Sequence, residues 1–311
     1  MKDNVSLKVG AVSMKSFPGN PEENVKSTIN WIKKAKEEGI NLLLFPELNI
    51  SGYWNSRELI SAAEPINGKS INFLVEQIAQ IKGIVIAVGL AEEYSNSLFN
   101  TQVLIGQEGI IGYYRKTHSP FPENFNWGVG NHFPIFQIGD FKVGVAICYD
   151  NSFPEVYRCY AVQGCDIILS PYAFGFTPFK VGNKDTENKA IRDWKRNVSI
   201  DLQCASRANV VYSIACVGAG HIKDYRVEKG EPWPTRMNLE DLGPMEYFLS
   251  GGVLIFGPDG KLLAESPNDK IGEYLISTTV SGKSLNKARS YVYNSLKDRR
   301  PEIYSDLTRL P

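Results

Sequence analysis

Three side chains that together can carry out covalent hydrolysis stand at the ends of predicted strands. Cys148 ends the apolar run KVGVAIC, Glu47 follows the run NLLLFP, and Lys116 closes the run GIIGYYRK. A thiolate is a nucleophile, and a carboxylate beside an apolar strand has a raised pKa that suits proton transfer near neutral pH. An ammonium that faces the thiol would favour the thiolate and stabilise the oxygen charge of a tetrahedral intermediate. The chain has only three histidines, the usual base of cysteine hydrolases, so a carboxylate is the main candidate for that role.

Each of these residues also has a simpler interpretation when it is taken alone. A lone cysteine is more often a small buried hydrophobe than a nucleophile. Glu47, and Glu123 in the loop after Lys116, fit solvated charges, and Lys116 fits a cation that prevents edge pairing. The position of Cys148 favours chemistry, because a tight strand-to-helix turn exposes its side chain at the carboxyl edge of a sheet. Backbone N–H groups of such a turn can also bind an oxyanion.

The pattern of apolar residues predicts strands and helices that alternate along the chain. The clearest helix signal is Asn20, an N-cap followed by Pro21, with an apolar stripe that ends before Gly39. Turn residues at 106–109 and 139–140 predict hairpins and therefore mixed sheets. The predicted strands cover residues 5–11, 41–46, 84–90, 143–148, 166–170, 210–216, 252–256 and 262–265, and the other predicted helices cover 71–81, 154–163 and 190–207.

No repeat, low-complexity stretch or Pro/Gly/Ser linker divides the chain. We therefore predict one α/β domain over residues 1–311, with helices covering the faces of the sheets. Residues 172–188 and 217–247 interrupt the regular pattern, because both segments are long, polar and rich in turn formers. Loops of this length are either active-site covers and contact arms or plain surface insertions, and the sequence leaves both interpretations open.

Composition excludes several classes of protein. The 311 residues are 43% hydrophobic, which excludes a disordered or fibrous chain. The 34 basic and 34 acidic residues leave no charge excess that would attract nucleic acid or an anionic membrane. No apolar stretch approaches the roughly 20 residues that span a bilayer, and the start of the chain lacks the apolar core of a secretory signal.

The cysteines and histidines bear on location and cofactors. Five cysteines without a CxxC pair argue against a disulfide framework and against a zinc ribbon, and no HExxH or HxH pair is present. There is also no P-loop GxxxxGK[ST], which disfavours a nucleotide-dependent amidotransferase. We expect a cytoplasmic protein with a small-molecule substrate and with no metal, cofactor, nucleic-acid or membrane partner.

Three segments taken together resemble the nitrilase superfamily of carbon-nitrogen hydrolases. FPELNISGY, YRKTHSPFPENF and VGVAICYDNSFPE occur in that family's order and approximate spacing. The similarity extends to FLSGGVLIFGPDGKLLAE and to RRPEIY, which ends at residue 304, so it covers most of the chain. The resemblance implies that Glu47, Lys116 and Cys148 form a catalytic triad and that Glu123 is a second glutamate of the same site.

The resemblance also implies a fold, an assembly and a reaction. The fold is an αββα sandwich whose subunits commonly pair, so that sheets stack in a four-layer dimer. We therefore expect a homodimer or larger homo-oligomer, with residues 280–311 as a contact tail. The expected reaction is hydrolysis of a small amide or N-carbamoyl amine through a thioester on Cys148. It releases ammonia, and CO2 if the substrate is a carbamoyl compound.

The residues after the cysteine bear on the substrate. True nitrilases generally have Trp-Glu there, whereas Tyr149-Asp150 resembles the amidase and carbamoyl-amide hydrolase branches. N-carbamoyl-D-amino acid hydrolases carry arginines at the next two places, where this chain has Asn151 and Ser152, which favours an uncharged or amine-bearing acyl portion. Other sources of a cation would be Arg192, Arg207 and Arg236. The alternatives to an amidase are a nitrilase and a non-catalytic binding protein that retains the fold.

Aromatic residues close to these segments are candidate walls of the substrate pocket. Large rings bury much area and often have a polar edge, so they serve pockets, cores and subunit contacts alike. Both interpretations stay open for this set. The candidates are Tyr53, Trp54, Trp127, Tyr149, Tyr172 and Phe174.

Overall fold

The computed structural model describes residues 3–53, 61–120, 127–173, 177–180, 184–221, 245–267 and 272–309. Strands and helices alternate along much of the chain, as predicted. The described helices are α1 (Pro21–Glu37), α2 (Lys69–Ala79), α3 (Pro154–Val162), α4 (Lys184–Asn209) and α5 (Gly282–Arg289). The described strands are β1 (Ser6–Ser13), β2 (Leu42–Leu44), β3 (Val85–Tyr94), β4 (Ser97–Gly106), β5 (Gly109–Arg115), β6 (Trp127–Gly128), β7 (Phe136–Ile138), β8 (Phe141–Val145), β9 (Ile167–Tyr172), β10 (Thr177–Lys180), β11 (Tyr212–His221), β12 (Met245–Phe256), β13 (Leu262–Glu265) and β14 (Tyr274–Ser281). Among these ranges, no helix has both the length and the apolar character needed to cross a membrane.

The strands form two mixed sheets. The first has the order β14-β1-β2-β3-β4-β5 with β6 beside β4, and the second has the order β10-β12-β11-β9-β8-β7 with β13 beside β12. Strands β1, β2 and β3 run parallel, as do β8, β9 and β11. The β4–β5 and β7–β8 pairs are antiparallel hairpins at the predicted turns. The prediction of mixed sheets is therefore confirmed.

The two sheets pack face to face and each is covered by helices on its other face. One buried cluster joins side chains of both sheets, including Val9 and Leu44 of the first and Val145 and Leu169 of the second. A second cluster packs the first sheet against α1 and α2, and a third packs the second sheet against α3 and α4. Because each buried face removes apolar surface from water, the stable arrangement is four layers in the order helix, sheet, sheet, helix. This is the αββα sandwich that the sequence predicted.

Helix α1 shows how the sequence sets one of these layers. The Asn20 side chain accepts a hydrogen bond from the Glu23 N–H at 3.3 Å, and Pro21 occupies the first helical position, where no N–H is needed. The helix buries an apolar stripe that includes Ile32. It ends before Gly39, whose φ of 73° lies in the left-handed region that glycine adopts without a steric penalty. The predicted start and end of this helix are confirmed.

The prediction of two long loops is wrong in part. The segment 172–188 contains β10 and the first turns of α4, which begins at Lys184 instead of 190. The sequence did not predict this start, because KDTENKA is polar and has no apolar stripe. An i,i+4 ion pair between Lys189 and Asp193 stabilises the first part of α4. In 217–247, β11 runs on to His221 and β12 begins at Met245, and the residues between 221 and 245 lie outside the described ranges.

Small residues conceal the strand in the second segment. The last part of β11 reads VGAGH, which has little intrinsic strand preference. Its backbone pairs with β12, where Ala219 lies opposite Ser250, and the hydrogen bonds between the two strands outweigh the local preference.

Strand β14 is not among the strands predicted from the sequence. It pairs with β1 at the edge of the first sheet.

Candidate active site

Glu47 is held by three hydrogen-bond donors from three different parts of the chain. It follows β2 and is buried, with 2% of its surface exposed. Its Oε1 accepts from Lys116 Nζ at 2.8 Å and from Asn100 Nδ2 at 2.6 Å, and its Oε2 accepts from the Ala173 backbone N–H at 2.7 Å. Donors of this kind stabilise the ionised carboxylate and fix its orientation. A proton acceptor with a set direction is what general-base chemistry needs.

Lys116 is the charged partner of Glu47 and follows β5 directly. Its side chain has no exposed surface, so the two opposite charges form a buried ion pair. Its backbone is fixed on both sides, because the Lys116 N–H donates to Asn100 O at 2.9 Å and the Gly130 N–H donates to Lys116 O at 2.8 Å. A buried ion pair offsets its desolvation only with good geometry and further hydrogen bonds. The Asn100 amide and the Ala173 N–H provide such bonds to the carboxylate.

Cys148 lies at a strained turn after β8. It opens a short 3₁₀ helix, Cys148–Ser152, and its φ of 50° lies in the left-handed region, which is uncommon for a residue with a side chain. Such strain persists only where surrounding contacts enforce it, and it clusters at functional sites. Cys148 is half-buried, whereas Cys165 and Cys216 are fully buried. A strained, partly accessible thiol at a strand-to-helix turn matches the placement predicted for a nucleophile.

Asp150 ties the cysteine turn to the segment that follows Lys116. Its carboxylate has no exposed surface. One oxygen accepts from Tyr114 Oη at 2.8 Å and from the Ile147 N–H at 2.9 Å. The other accepts from the Thr117 hydroxyl at 2.8 Å and from the His118 N–H at 2.9 Å. These bonds satisfy a buried charge and hold the chain next to Lys116 against the chain next to Cys148.

Tyr172 lies at the end of a strand of the second sheet, close to Cys148 and Glu47. It ends β9, which is the parallel neighbour of β8, and the next residue is Ala173, whose N–H binds Glu47. Burial is the main reason that the pKa of Tyr172 lies well above its usual value, and the nearby charges of Cys148 and Glu47 contribute to it. Cys148 and Glu47 are therefore both within electrostatic range of one tyrosine ring. The site forms where the carboxyl ends of β2, β8 and β9 meet.

Other predicted pocket residues divide into three groups. Trp127 is buried beside Leu48 in a small cluster, with Tyr53 packed against it, so both adjoin the Glu47 segment. Tyr149 is 40% exposed and meets Phe153 edge to face. Trp54, Glu123, Phe174 and Arg236 lie outside the described residues.

Sequence reasoning missed two residues that the structure brings into the site. Asn100 contacts Glu47 by its side chain and Lys116 by its backbone, although it lies 53 positions after Glu47. Asp150 entered the sequence analysis only as a marker of the amidase branch, and its donors include the distant residues Tyr114, Thr117 and His118. Neither role has a local pattern, because each depends on which strands become neighbours. The only signal was a polar residue inside an apolar strand, as in LFNTQVLIG.

Known proteins resemble this chain over most of its length. The family model for carbon-nitrogen hydrolases matches residues 8–289. The N-carbamoylputrescine amidase of Solanum tuberosum is 29% identical over 297 residues, which are 92% of this chain and 90% of the relative. A nitrilase of Pyrococcus abyssi is 35% identical over 189 residues, which are 59% of this chain and 72% of the relative. The crystal structure of a carbon-nitrogen hydrolase from Helicobacter pylori G27 has a TM-score of 0.79 at 22% identity, covering 98% of this chain and 99% of that chain.

These similarities agree with the fold and with the site geometry. The matched range includes β2, β5 and β8, the strands that carry Glu47, Lys116 and Cys148 at their ends. The Helicobacter pylori structure supports the same four-layer architecture. The chain belongs to the carbon-nitrogen hydrolase family, within the nitrilase superfamily.

Proposed function

We propose that this protein is an amidase that hydrolyses the C–N bond of a small amide or N-carbamoyl amine through a thioester on Cys148. The observation that carries the proposal is the buried contact between Glu47 and Lys116, 2.8 Å apart, at the same end of the sandwich as the strained Cys148 turn. A base, a cation and a thiol at one end of the fold are the parts that covalent acyl transfer requires.

The reaction begins when Glu47 accepts the thiol proton and the sulfur attacks the carbonyl carbon. Lys116 and the backbone N–H of Tyr149 stabilise the oxyanion; the Tyr149 N–H lies in the first turn of a helix, where N–H groups have no intrahelical partner. When the C–N bond breaks, Glu47 returns its proton to the departing nitrogen. Glu47 then takes a proton from water, which attacks the thioester carbonyl. The C–S bond breaks to release the acid, and Glu47 returns the proton to the Cys148 sulfur.

Glu123 completes the proposed site. We assign it the orientation of the substrate or the support of Lys116, as the resemblance implies, although it lies outside the described residues. Tyr53 and Trp127 would form the walls next to the Glu47 segment, and Tyr172, which meets Trp194 edge to face, would form a wall nearer the Cys148 turn. Aromatic walls favour a small substrate with an apolar or flat portion.

The cysteine turn supports an uncharged or amine-bearing acyl portion. Asn151 is buried, and its amide donates to the Ala146 and Cys148 carbonyl oxygens, so it offers no donor to a substrate carboxylate. Arg192 and Arg207 are exposed on α4. The relative from Solanum tuberosum is named for an N-carbamoyl amine, which agrees with this substrate class. A carbamoyl substrate would give CO2 as well as ammonia.

A nitrilase activity is the second candidate. The Pyrococcus abyssi relative named a nitrilase favours it, although that match covers 59% of this chain. Tyr149-Asp150 after the cysteine favours the amidase, because true nitrilases generally have Trp-Glu at these positions. The third alternative is a binding protein without activity. Such a protein would not need the buried contact between Glu47 and Lys116, so this contact counts against it.

A screen for ammonia release tests the proposal. Carboxamides, N-carbamoyl amines, N-carbamoyl amino acids and nitriles are compared at equal concentration, with purified parent protein and its Cys148→Ala variant. We expect turnover of an amide or N-carbamoyl amine by the parent and none by the folded variant. Faster hydrolysis of nitriles would favour the second candidate, and undiminished turnover by the variant would refute the thioester mechanism.

We also propose that residues 1–311 form one domain and that residues 280–311 contribute to a homodimer or larger homo-oligomer. Consecutive apolar side chains in this segment are exposed: Tyr291 by 62%, Val292 by 76% and Tyr293 by 82%. Contiguous exposed apolar surface is costly in water and is typical of protein contact sites.

A further inference from the structure

The peptide group between Cys148 and Tyr149 is clamped from one side by Asn151. The Asn151 Nδ2 donates to Cys148 O and to Ala146 O, each at 2.9 Å. Both partners are carbonyl oxygens, which only accept, so the nitrogen end of the amide must face them. The clamp therefore sets the direction of the Cys148 carbonyl.

The direction of that carbonyl also sets the direction of the next N–H. A trans peptide group is planar, and its C=O and N–H point in opposite directions. Since Cys148 O points towards Asn151, the Tyr149 N–H points away from Asn151. Asn151 thus sets the direction of the Tyr149 N–H, which stabilises the oxyanion in the proposed mechanism.

Tyr157 holds Asn151 in place from the other end of the amide. Its hydroxyl donates to Asn151 Oδ1 at 2.9 Å and lies 2.9 Å from Ser170 Oγ on β9. Tyr157 has no exposed surface, and Asn151 is 6% exposed. Both ends of the Asn151 amide are therefore bonded, which leaves the clamp one orientation.

We propose that Asn151, oriented by Tyr157, is a positioning residue for the oxyanion site formed by the Tyr149 N–H. The inference rests on the proposed amidase function and adds to it a residue that acts without touching the substrate. It also explains how Cys148 keeps its left-handed φ, because the carbonyls on both sides of Ile147 are tied to one side chain.

Amide hydrolysis and alkylation by iodoacetamide both use the Cys148 thiol. A comparison of their rates distinguishes a role of Asn151 in positioning the Tyr149 N–H from a general role in the structure of the turn. Amide hydrolysis passes through a tetrahedral oxyanion, so it needs the Tyr149 N–H to be aimed correctly. Alkylation by iodoacetamide forms an S–C bond and expels iodide, and no oxyanion forms at the site. Both rates are measured on the full chain in a Cys204→Ser background, because Cys204 is an exposed free cysteine.

The variants are Asn151→Leu, which removes the clamp, and Tyr157→Phe, which removes only the hydroxyl that orients it. The matched control is Tyr160→Phe, which removes a buried hydroxyl one turn further along α3 whose partner is Val145 O at 2.6 Å. We expect kcat for the amide to fall about 10- to 100-fold in Asn151→Leu, since one oxyanion donor is worth about 100- to 1000-fold. A smaller fall is expected in Tyr157→Phe and none in Tyr160→Phe, with KM and the alkylation rate of Cys148 unchanged in all three.

The inference is overturned if kcat and the alkylation rate fall together in Tyr157→Phe, because that result indicates a disordered turn. It is also overturned if kcat in Tyr157→Phe equals that of Tyr160→Phe. Should Asn151→Leu fail to fold, the two tyrosine variants still decide the matter. A parent protein that hydrolyses no amide contradicts the proposed function itself, which is a separate outcome from either of these.

Discussion

At the scale of single residues, the site depends on the hydrogen bonds that the buried Glu47 carboxylate accepts. Glu47 receives a bond from an ammonium, one from a side-chain amide and one from a backbone N–H. Removal of the Asn100 amide leaves the ionised form less stabilised and leaves Lys116 and Cys148 in place. The contribution of Asn100 is therefore separable from that of Cys148.

We predict that Asn100→Leu moves the acidic limb of the pH–rate profile to higher pH. A hydrogen bond to a carboxylate favours its ionised form, so loss of that bond means that the base is protonated at a higher pH and activity is lost earlier on acidification. The measurement is ammonia release between pH 4 and pH 9. The matched control is Gln102→Leu, a buried amide on the same face of β4 that donates to Phe45 O instead of to Glu47. Identical acidic limbs for the two variants would contradict the prediction.

We predict that the cysteines differ sharply in reactivity at pH 8. Burial raises the pKa of Cys165 to about 12 and raises the pKa of Cys216 well above its usual value. At pH 8, below those values, both groups remain protonated thiols, which react slowly, and they are also inaccessible. Iodoacetamide should label Cys148 and Cys204 in the folded protein, and should label Cys159 more slowly, because burial raises the pKa of that half-buried thiol. All five sites should react in denaturant, as read by peptide mapping. Labelling of Cys165 as fast as Cys204 in the folded state would count against the described packing.

At the scale of elements, the site is assembled by polar ties between strand ends. The end of β5 and the turn after β8 belong to different sheets, and the Asp150 carboxylate joins them through donors from both. Hydrogen bonds to a buried charge stabilise more than neutral ones, and their loss leaves donors unsatisfied. This tie should contribute to stability as well as to the position of Cys148.

We predict that Asp150→Asn lowers the free energy of unfolding by about 2–4 kcal/mol, because the amide nitrogen would face N–H and O–H donors that lose their acceptor. Urea denaturation followed by circular dichroism measures the change. The control is Asp306→Asn, which removes one partner of an exposed ion pair with Arg309 and should change stability by less than about 0.5 kcal/mol. Equal effects of the two substitutions would show that the Asp150 tie is not stabilising.

The sequence predicted many of the helices and strands, but it did not predict several contacts between them. Strands such as 262–265 and helix α1 carry strong local patterns, and the structure has them where they were predicted. The resemblance implied that Glu47 and Lys116 belong to one triad, and the structure brings these two side chains into contact. Asn100 and Asp150 contact their partners only because distant strands become neighbours on folding. Strand β14 depends on its pairing with β1, and the start of α4 depends on ion pairs at the surface. Long-range contacts of this kind leave no local periodicity.

At the scale of the whole molecule, the two sheets share one site and one apolar layer. Glu47 and Lys116 follow strands of the first sheet, whereas Cys148 follows a strand of the second. The distance between Glu47 and Cys148 is therefore set by the packing between the sheets. Residues such as Leu44 and Leu169, which belong to the buried cluster between the sheets, hold that packing.

We predict that a charged substitution in the exposed segment Tyr291–Tyr293 shifts the protein to a smaller assembly. Tyr293→Asp would place a charge in the proposed contact, where its burial is costly. Light scattering after size-exclusion chromatography measures the mass of parent and variant. The control is Tyr94→Asp, an exposed tyrosine on β3 outside residues 280–311. A parent that is monomeric, or a variant of unchanged mass, would contradict the proposed role of this tail.

The pairing of β1 with β14 has a consequence for how the protein is made. The two strands align along their whole length, from Ser6 opposite Ser281 to Ser13 opposite Tyr274. During translation, β1 leaves the ribosome before its antiparallel partner, which is synthesised more than 260 residues later. Until then, one side of β1 presents unpaired peptide groups, which are a template for aggregation. The sheet that carries Glu47 and Lys116 thus keeps an open edge until the chain has been made as far as β14.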